Sequence, residues 1–250
     1  MTAIHEQLVH DTARQLGVPE GVAAELLAHS RPCVYLLPLE DLSPAQQETA
    51  RPAARTGGLP SLPDDADWND GMEPLVLTVD CAALPHDALD IELPTDGHLL
   101  VFSKIEYEPE NSAVLHVRAG ARTTERPAPK VYEPQTLYPV VGLTLHDDWQ
   151  YAPARRAFLN DGDGNEETLE EFEETVLELA AGGAKFGVCA QIGGFSAPYD
   201  MAPDEGDLIL FAQVAGQAID PDVFTLNLIT GTRHDIAERR YTALTYTQQC

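Results

Sequence analysis

The sequence predicts an α+β fold: two pseudo-repeated β-rich halves sharing one core, preceded by an N-terminal helical segment. Three observations carry this expectation. Apolar residues recur at helical spacing near the start of the chain and once more in its second half. Around them lie short runs rich in β-branched and aromatic residues, bounded by turn formers. A glycine pair, a proline-containing loop and two such runs follow one another twice, first from Gly57 and Gly58 and again from Gly193 and Gly194.

At the N-terminus, Ile4, Leu8, Val9, Ala13 and Leu16 keep helical spacing until Gly17 stops them. A second helix starts at Pro19, with Val22, Ala23, Leu26 and Leu27 on its apolar face, since proline is favoured at a first helical position. Arg31 and Pro32 end the helical part, and residues 33–37 read as a strand. Residues 43–55 form a polar, partly helical connection. Strands follow at 75–79, 97–102, 113–117 and 137–145, with proline-rich surface loops at 108–135. Leu169, Phe172, Val176 and Leu179 form one stripe of a helix that Gly182 and Gly183 terminate. After it come the apolar run at 185–190, the motif QIGGFSAPYD from Gln191, and strands at 207–214, 223–229 and 241–248. The domain expectation is a helical extension at 1–30 and one domain at 31–250, with halves of about 31–150 and 151–250.

With 250 residues and a 44% apolar fraction, the chain is long enough and apolar enough for a sizeable core. No apolar run approaches a bilayer span, and the N-terminus lacks the apolar centre of a signal peptide. Cytosol is the expected location. Cys33, Cys81, Cys189 and Cys250 are too far apart for a C-x-x-C site, and the first three sit in apolar runs as buried thiols. The formal charge of −26 repels nucleic acid and anionic membrane, and it would attract a basic protein partner.

Several short motifs, taken in order, bring a family to mind. RPCV from Arg31, GGLPSLP from Gly57 with Trp68 following, PLVLTVDCAALP and LPTDGHLLVF are similar to the N-terminal half of the bacterial YwqG-like family. That family reads GG-x-P-x-LP, a Trp-Pro, a proline-led strand ending in Gln-Ile-Asp, and Gly-x-Leu before an aromatic strand. QIGG, LILFAQV with Gln213, VFTLNLI, His234-Asp-Ile and the closing Gln249 and Cys250 resemble the second half. The likeness covers roughly residues 31–250, and Gly57, Gly58, Pro60, Trp68, Gln191, Gly193, Gly194 and Gln213 carry it. The chain departs from the pattern at Asn69, where the family has proline, at Thr78, where it has glutamine, and near 221–224, where a Trp-Gly-Asp is missing. The resemblance supplies no catalytic residues. Its members' association with toxin–immunity gene clusters implies a protein-binding role for some of them.

The residues themselves carry little catalytic signal. Ser196 lacks the second glycine of a nucleophile elbow, because Pro198 stands in its place. His-Asp pairs begin at His10, His86, His146 and His234, but neighbouring strand side chains point to opposite faces and do not share a metal. The run from Asp161 to Asn165 evokes a calcium loop, yet Glu166 and Phe172 occupy the two diagnostic positions. No phosphate-cradling glycine motif occurs, and neither a metal nor a cofactor is expected. More telling are Glu167, Glu170, Glu171, Glu174 and Glu178 on the outer positions of the second-half helix, with no Lys or Arg between Asn160 and Ala184. Like-charge pairs at i, i+4 cost a helix about 0.2–0.5 kcal/mol each, so such a face suits a basic partner. The expectation is a non-catalytic acidic protein-binding module, with an immunity-type protein that neutralises a basic toxin or partner as its specific form. The competing one is a hydrolase or small-ligand binder with a cleft between the halves.

Overall fold

The chain opens with two helices, α1 (Ala3–Leu16) and α2 (Glu20–Ala28), as the apolar spacing requires. The computed structural model describes residues 3–66, 73–106, 111–185, 190–198 and 201–250. Pro19 is the N-cap of α2 rather than its first residue. Then come β1 (Ser30–Leu37), a short α3 (Pro44–Gln47), β2 (Ala54–Thr56), β3 (Ser61–Pro63), β4 (Leu75–Asp80), β5 (His98–Phe102), β6 (Ala113–Val117), β7 (Thr123–Glu125) and β8 (Gln135–Leu145). Two helices, α4 (Pro153–Asp161) and α5 (Asn165–Ala180), precede β9 (Ala190–Ile192) and β10 (Leu208–Ala215). The chain closes with β11 (Leu226–Thr232), a short α6 (Arg233–Ala237) and β12 (Thr245–Gln249). The class is α+β.

Among the described residues ten strands form one antiparallel sheet in the order β12-β11-β10-β9-β1-β8-β2-β4-β5-β6, and β3 pairs with β7 in a separate ribbon. At its centre β1 and β8 pair along the whole of β1, from Ser30 opposite Leu145 to Leu37 opposite Tyr138. The strand therefore begins earlier than expected and includes Pro32. Proline is tolerated there because β9 covers only Val34, Tyr35 and Leu36, which leaves Pro32 on an edge-like stretch. Alternate residues of β1 are buried on opposite faces. Val34 and Leu36 join Leu77, Val101, Leu137, Ile192 and Val214 in one apolar cluster, whereas Cys33, Tyr35 and Leu37 pack with Val140, Ala181 and Ala184. Burial on both sides explains why residues 33–37 read as an unbroken apolar run.

The far arms of the sheet come together. Thr225 donates its hydroxyl to the Ile105 carbonyl at 2.5 Å, and Gln248 donates to the Lys104 carbonyl and to Asn227 at 3.0 Å each. The turn Tyr241–Ala243 packs against β6. Ten twisted strands curl, and these contacts hold the curl.

The helices pack against the Leu143 end of β8. Val9, Ala13, Val22, Ala23 and Leu26 from α1 and α2 pack with Leu143, Trp149, Leu169, Phe172 and Val176. From α2, Glu25 reaches across to accept the Ala154 N–H at 2.7 Å and the Arg155 N–H at 3.3 Å, capping α4 where no local side chain does. Leu179 departs from its expected role: it is 50% exposed. Around a helix of 3.6 residues per turn Leu179 lies only about 20° from the buried Phe172, so its exposure reflects its place in the last turn, one residue before α5 ends. The helix α4 and the three-residue strands β2 and β9 were not foreseen, since none is long enough or periodic enough to signal itself. Phe186 and Cys189 lie outside the described residues, and Ala190 begins β9. Residues 241–244 form a turn instead of the start of the last strand. Among the described residues no helix is long and apolar enough to cross a membrane.

Two outcomes follow. A Cβ on Gly142 would lie 2.4 Å from the Tyr35 ring, whose hydroxyl is held by the Leu143 carbonyl at 3.1 Å. Gly142→Ala should therefore cost about 1–3 kcal/mol in urea unfolding, and an unchanged midpoint would contradict this packing. Burial, with the Asp80 carboxylate alongside, pushes the Cys81 thiol up to about 11, whereas Cys250 is exposed. At pH 8 Cys81 stays protonated, so iodoacetamide should modify Cys250 at least ~100-fold faster, as mass spectrometry of the two peptides will report.

Candidate functional site

The acidic helix is oriented as its pattern requires. Leu169, Phe172 and Val176 are buried, and Glu167, Glu170, Glu171, Glu174 and Glu178 are all exposed. Glu166 and Glu167 lie in the first turn, where the helix dipole favours them. At the other end, Gly183 donates to the Glu178 carbonyl at 2.9 Å and closes the helix with φ of +75°. Glu173, on the flank, pairs with Arg155 at 3.2 Å. Among the described residues the five outer glutamates have no cation within 4.0 Å. Their charge faces water unneutralised.

The motif from Gln191 is a second feature, and only part of it is a loop. Gln191 and Ile192 are strand residues of β9, and the turn begins at Gly193 and Gly194, with φ of +65° and +78°. A Cβ on Gly194 would meet Thr144 Oγ1 at 2.6 Å and Cys33 Cβ at 2.8 Å, so this position needs glycine for both conformation and space. Gln191 and Gln213, adjacent across β9 and β10, are both buried and hold the loop from beneath. Gln191 donates to the Gly193 carbonyl at 2.7 Å and the Phe195 carbonyl at 3.0 Å. Gln213 donates to Gln191 at 3.1 Å and accepts the Ala197 N–H at 3.1 Å. Thr144, on β8, accepts the Phe195 N–H at 2.7 Å. Ser196 gives its N–H to Asp204 at 3.1 Å and its hydroxyl to the same carboxylate. That hydroxyl serves the turn, with no histidine bonded to it.

The loop divides two grooves. The first, of about 240 Å³, is lined by His146, Asp147, Asp148, Phe195, Asp204 and Glu205, with Met201 at 70% exposure on its rim. The second, of about 430 Å³, shares Leu145, Asp147, Phe195 and Ser196 with the first and reaches Leu177 of α5. Neither groove is lined by Lys or Arg. Phe195 is fixed between the Arg31 guanidinium, 4.1 Å from its ring centre, and the edge-on His146 ring at 4.7 Å. Arg31 in turn lies 3.9 Å from Asp90, which Arg233 holds at 2.9 Å.

Gln191, Gly193, Gly194 and Gln213 thus converge on one loop. Gly57, Gly58 and Pro60 belong to a separate turn beside β2, where Gly58 donates to the Tyr132 carbonyl at 3.0 Å and the Pro60 carbonyl accepts the Arg126 N–H at 2.9 Å. Trp68 lies outside the described residues. The acids of the groove come from two distant segments, 147–148 and 204–205, and nothing in their local sequence joins them. Among the described residues no three His, Cys, Asp or Glu side chains converge as a metal site. His86 contacts the Cys81 carbonyl at 2.7 Å, His146 accepts the Asp148 N–H at 3.1 Å, and Asp235 pairs with Arg240 at 2.7 Å. The calcium-like run from Asp161 is the joint between α4 and α5, where Asn165 donates to the Phe158 carbonyl at 2.7 Å.

No protein-family model matches this chain, and no curated protein matches it. Its function therefore rests on the geometry above. Removing Gln213 tests how the loop is held: Gln213→Ala leaves the Ala197 N–H and one amide bond of Gln191 without partners. We expect a loss of about 1–3 kcal/mol and faster amide exchange at Ala197 than in β10. Uniform exchange changes across the chain would show that Gln213 supports the whole fold and not this loop.

Proposed function

We propose that this chain is a non-catalytic binding module that docks a basic protein partner on one acidic surface. The observation that carries this reading is continuity. The larger groove meets α5 at Leu177, and Leu177 stands at i+3 from Glu174 and i+7 from Glu170, on the border of the glutamate stripe. From α5 through the Phe195 loop to Asp147, Asp148 and Glu205, one stretch of surface carries exposed carboxylates with an apolar seam. Such a surface would take Lys and Arg side chains on its acids and apolar contacts around Phe195 and Met201. The loop is held in place before any partner arrives, which lowers the ordering cost of docking. The resemblance to the YwqG-like family supports an immunity-type role, in which the module covers a basic toxin and excludes its substrate. The free thiols of Cys81 and Cys250 fit a reducing cytosol as the place of action.

We also read the sheet as a duplicated unit built around one core. Outward from the β1–β8 pair, the order is β9, β10, β11, β12 on one side and β2, β4, β5, β6 on the other. Each short inner strand runs into a glycine pair with positive φ, +55° and +79° in one arm, +65° and +78° in the other. The first glycine N–H of each pair donates at 3.2 Å to the carbonyl of Val76 or Phe211. Each acceptor sits in a register irregularity, between Leu75 and Leu77 or between Leu210 and Ala212.

Affinity capture from the native host, with the chain as bait, should recover a basic protein that moderate salt releases, and the product of an adjacent toxin-like reading frame is the first candidate. Replacing Glu167, Glu170, Glu171 and Glu174 with Lys should slow its association at least ~10-fold and abolish the salt dependence. Capture that neither salt nor the four substitutions change would overturn the acidic-surface reading.

A further inference from the structure

One cation stands apart in this anionic chain. With 15 Lys and Arg against 41 Asp and Glu, a carboxylate partner is easy to find. Among the described residues the other partly buried cations each have one: Arg31 with Asp90 at 3.9 Å, Lys104 with Glu73 at 3.3 Å, Arg126 with Asp64 at 3.8 Å and Arg155 with Glu173 at 3.2 Å. Arg55, on the short inner strand β2, is partly buried and has none within 4.0 Å. Among the described residues its guanidinium has one hydrogen bond, to the Leu59 carbonyl at 3.0 Å. Beside it in register lies Thr78, whose buried hydroxyl has no hydrogen-bond partner among the described residues. Half-buried guanidinium and orphaned hydroxyl are both costly unless something completes them.

Both groups face a cavity of about 360 Å³ between the β3–β7 ribbon and the sheet. Leu100 and Val117 give it an apolar floor, and Ser61 and Glu125 line the ribbon side. Arg55, Thr78 and His98 also border an adjoining cleft that Asp80 lines. The other arm shows what closes such a space. There the matching cross-strand pair is Gln191 and Gln213, and Gln213 fills the room under its loop by bonding Gln191 and the Ala197 N–H. In the β2–β4 arm a short threonine stands in place of the second glutamine and an arginine in place of the first, so the space stays open with a positive charge at its wall.

We infer that this cavity binds a small monocarboxylate that also carries a hydrogen-bond donor, of the amino-acid or hydroxy-acid kind, with Arg55 as the carboxylate anchor. A planar guanidinium fits a carboxylate with two parallel bonds, and the Thr78 hydroxyl is placed to add a third. Glu125 and Asp80 at the margins disfavour a second negative charge and offer acceptors to an ammonium or hydroxyl group. The volume lies at the small end of ligand pockets. This site is separate from the acidic surface and stands whether or not that surface docks a protein.

The test uses the full ¹⁵N-labelled chain and follows the Arg55 Nε–Hε resonance and the Thr78 and Leu100 amides. Glycine should shift them saturably with one-site behaviour, acetate several-fold more weakly, and inorganic phosphate more weakly still. Glu125→Gln should narrow the margin of glycine over acetate, since one of the two marginal carboxylates is lost. Arg55→Gln keeps a donor for the Leu59 carbonyl, as Gln191 does for Phe195, so it should melt like the parent yet bind glycine at least tenfold more weakly. Thr78→Val, close in shape to threonine, should also weaken binding several-fold and so checks the site independently of Arg55. Non-saturable shifts with glycine, phosphate binding tighter than glycine, or glycine affinity within twofold of the parent in both variants would overturn the proposal.

Discussion

Everything in this molecule is hung from the antiparallel pairing of β1 with β8. It is the longest strand contact, and each arm of the sheet grows outward from one of its members. The pair also has cover on both faces. One face contributes Val34, Leu36 and Leu137 to one apolar cluster and, further along β8, meets the helices through Leu143, while the opposite face packs Val140 with Ala181 and Ala184 just beyond α5. The close approach of the Tyr35 ring to Gly142 is the tightest point of that arrangement. The Phe195 loop depends on the same pair, because Thr144 of β8 holds its N–H and Arg31 of β1 lies over its ring.

Loop rigidity and surface charge are divided between different residues. Gln191, Gln213, Thr144 and Asp204 satisfy the backbone of residues 193–197 from inside. The outer glutamates of α5, with Asp147, Asp148 and Glu205 of the groove, hold none of that backbone and are exposed. A chain with a charge of −26 bears repulsion from this crowding that a more balanced surface would avoid. Charge kept at some cost to the fold, next to a loop already fixed in shape, is the physical basis for treating the surface as a docking site.

The two inner strands show how one backbone device can lead to different chemistry. In both, a positive-φ glycine pair turns the chain after three strand residues, and a side chain four residues earlier than its acceptor carbonyl secures the turn: Gln191 to Phe195, Arg55 to Leu59. Paired amides make the first arrangement self-sufficient, since each can donate and accept. A guanidinium only donates, and the short Thr78 cannot span the gap to answer it. The difference between a filled interior and an open, charged cavity comes down to two side chains.

How much of this could be read along the chain depends on whether the governing physics is local. The α+β class, the stripe of Leu169, Phe172 and Val176, and the strands at 75–80, 98–102 and 113–117 were legible, because each rests on a period repeated over several residues. The glycine pairs were legible as backbone devices, and the outer glutamates of α5 as a solvent face. Strands of three residues such as β2 and β9 have no period to show, and the placement of Gln191 in a strand followed only from pairing with β1 and β10. The union of His146 and Asp147 with Asp204 and Glu205, the unanswered charge of Arg55, and the cap that Glu25 supplies to α4 were invisible for the same reason. The sequence by itself determined the longer periodic helices and strands and the outward glutamate face of α5, since those follow from neighbours along the chain. Only the tertiary structure decided which distant segments share a wall, because strand order and register are set by long-range packing that no local pattern encodes.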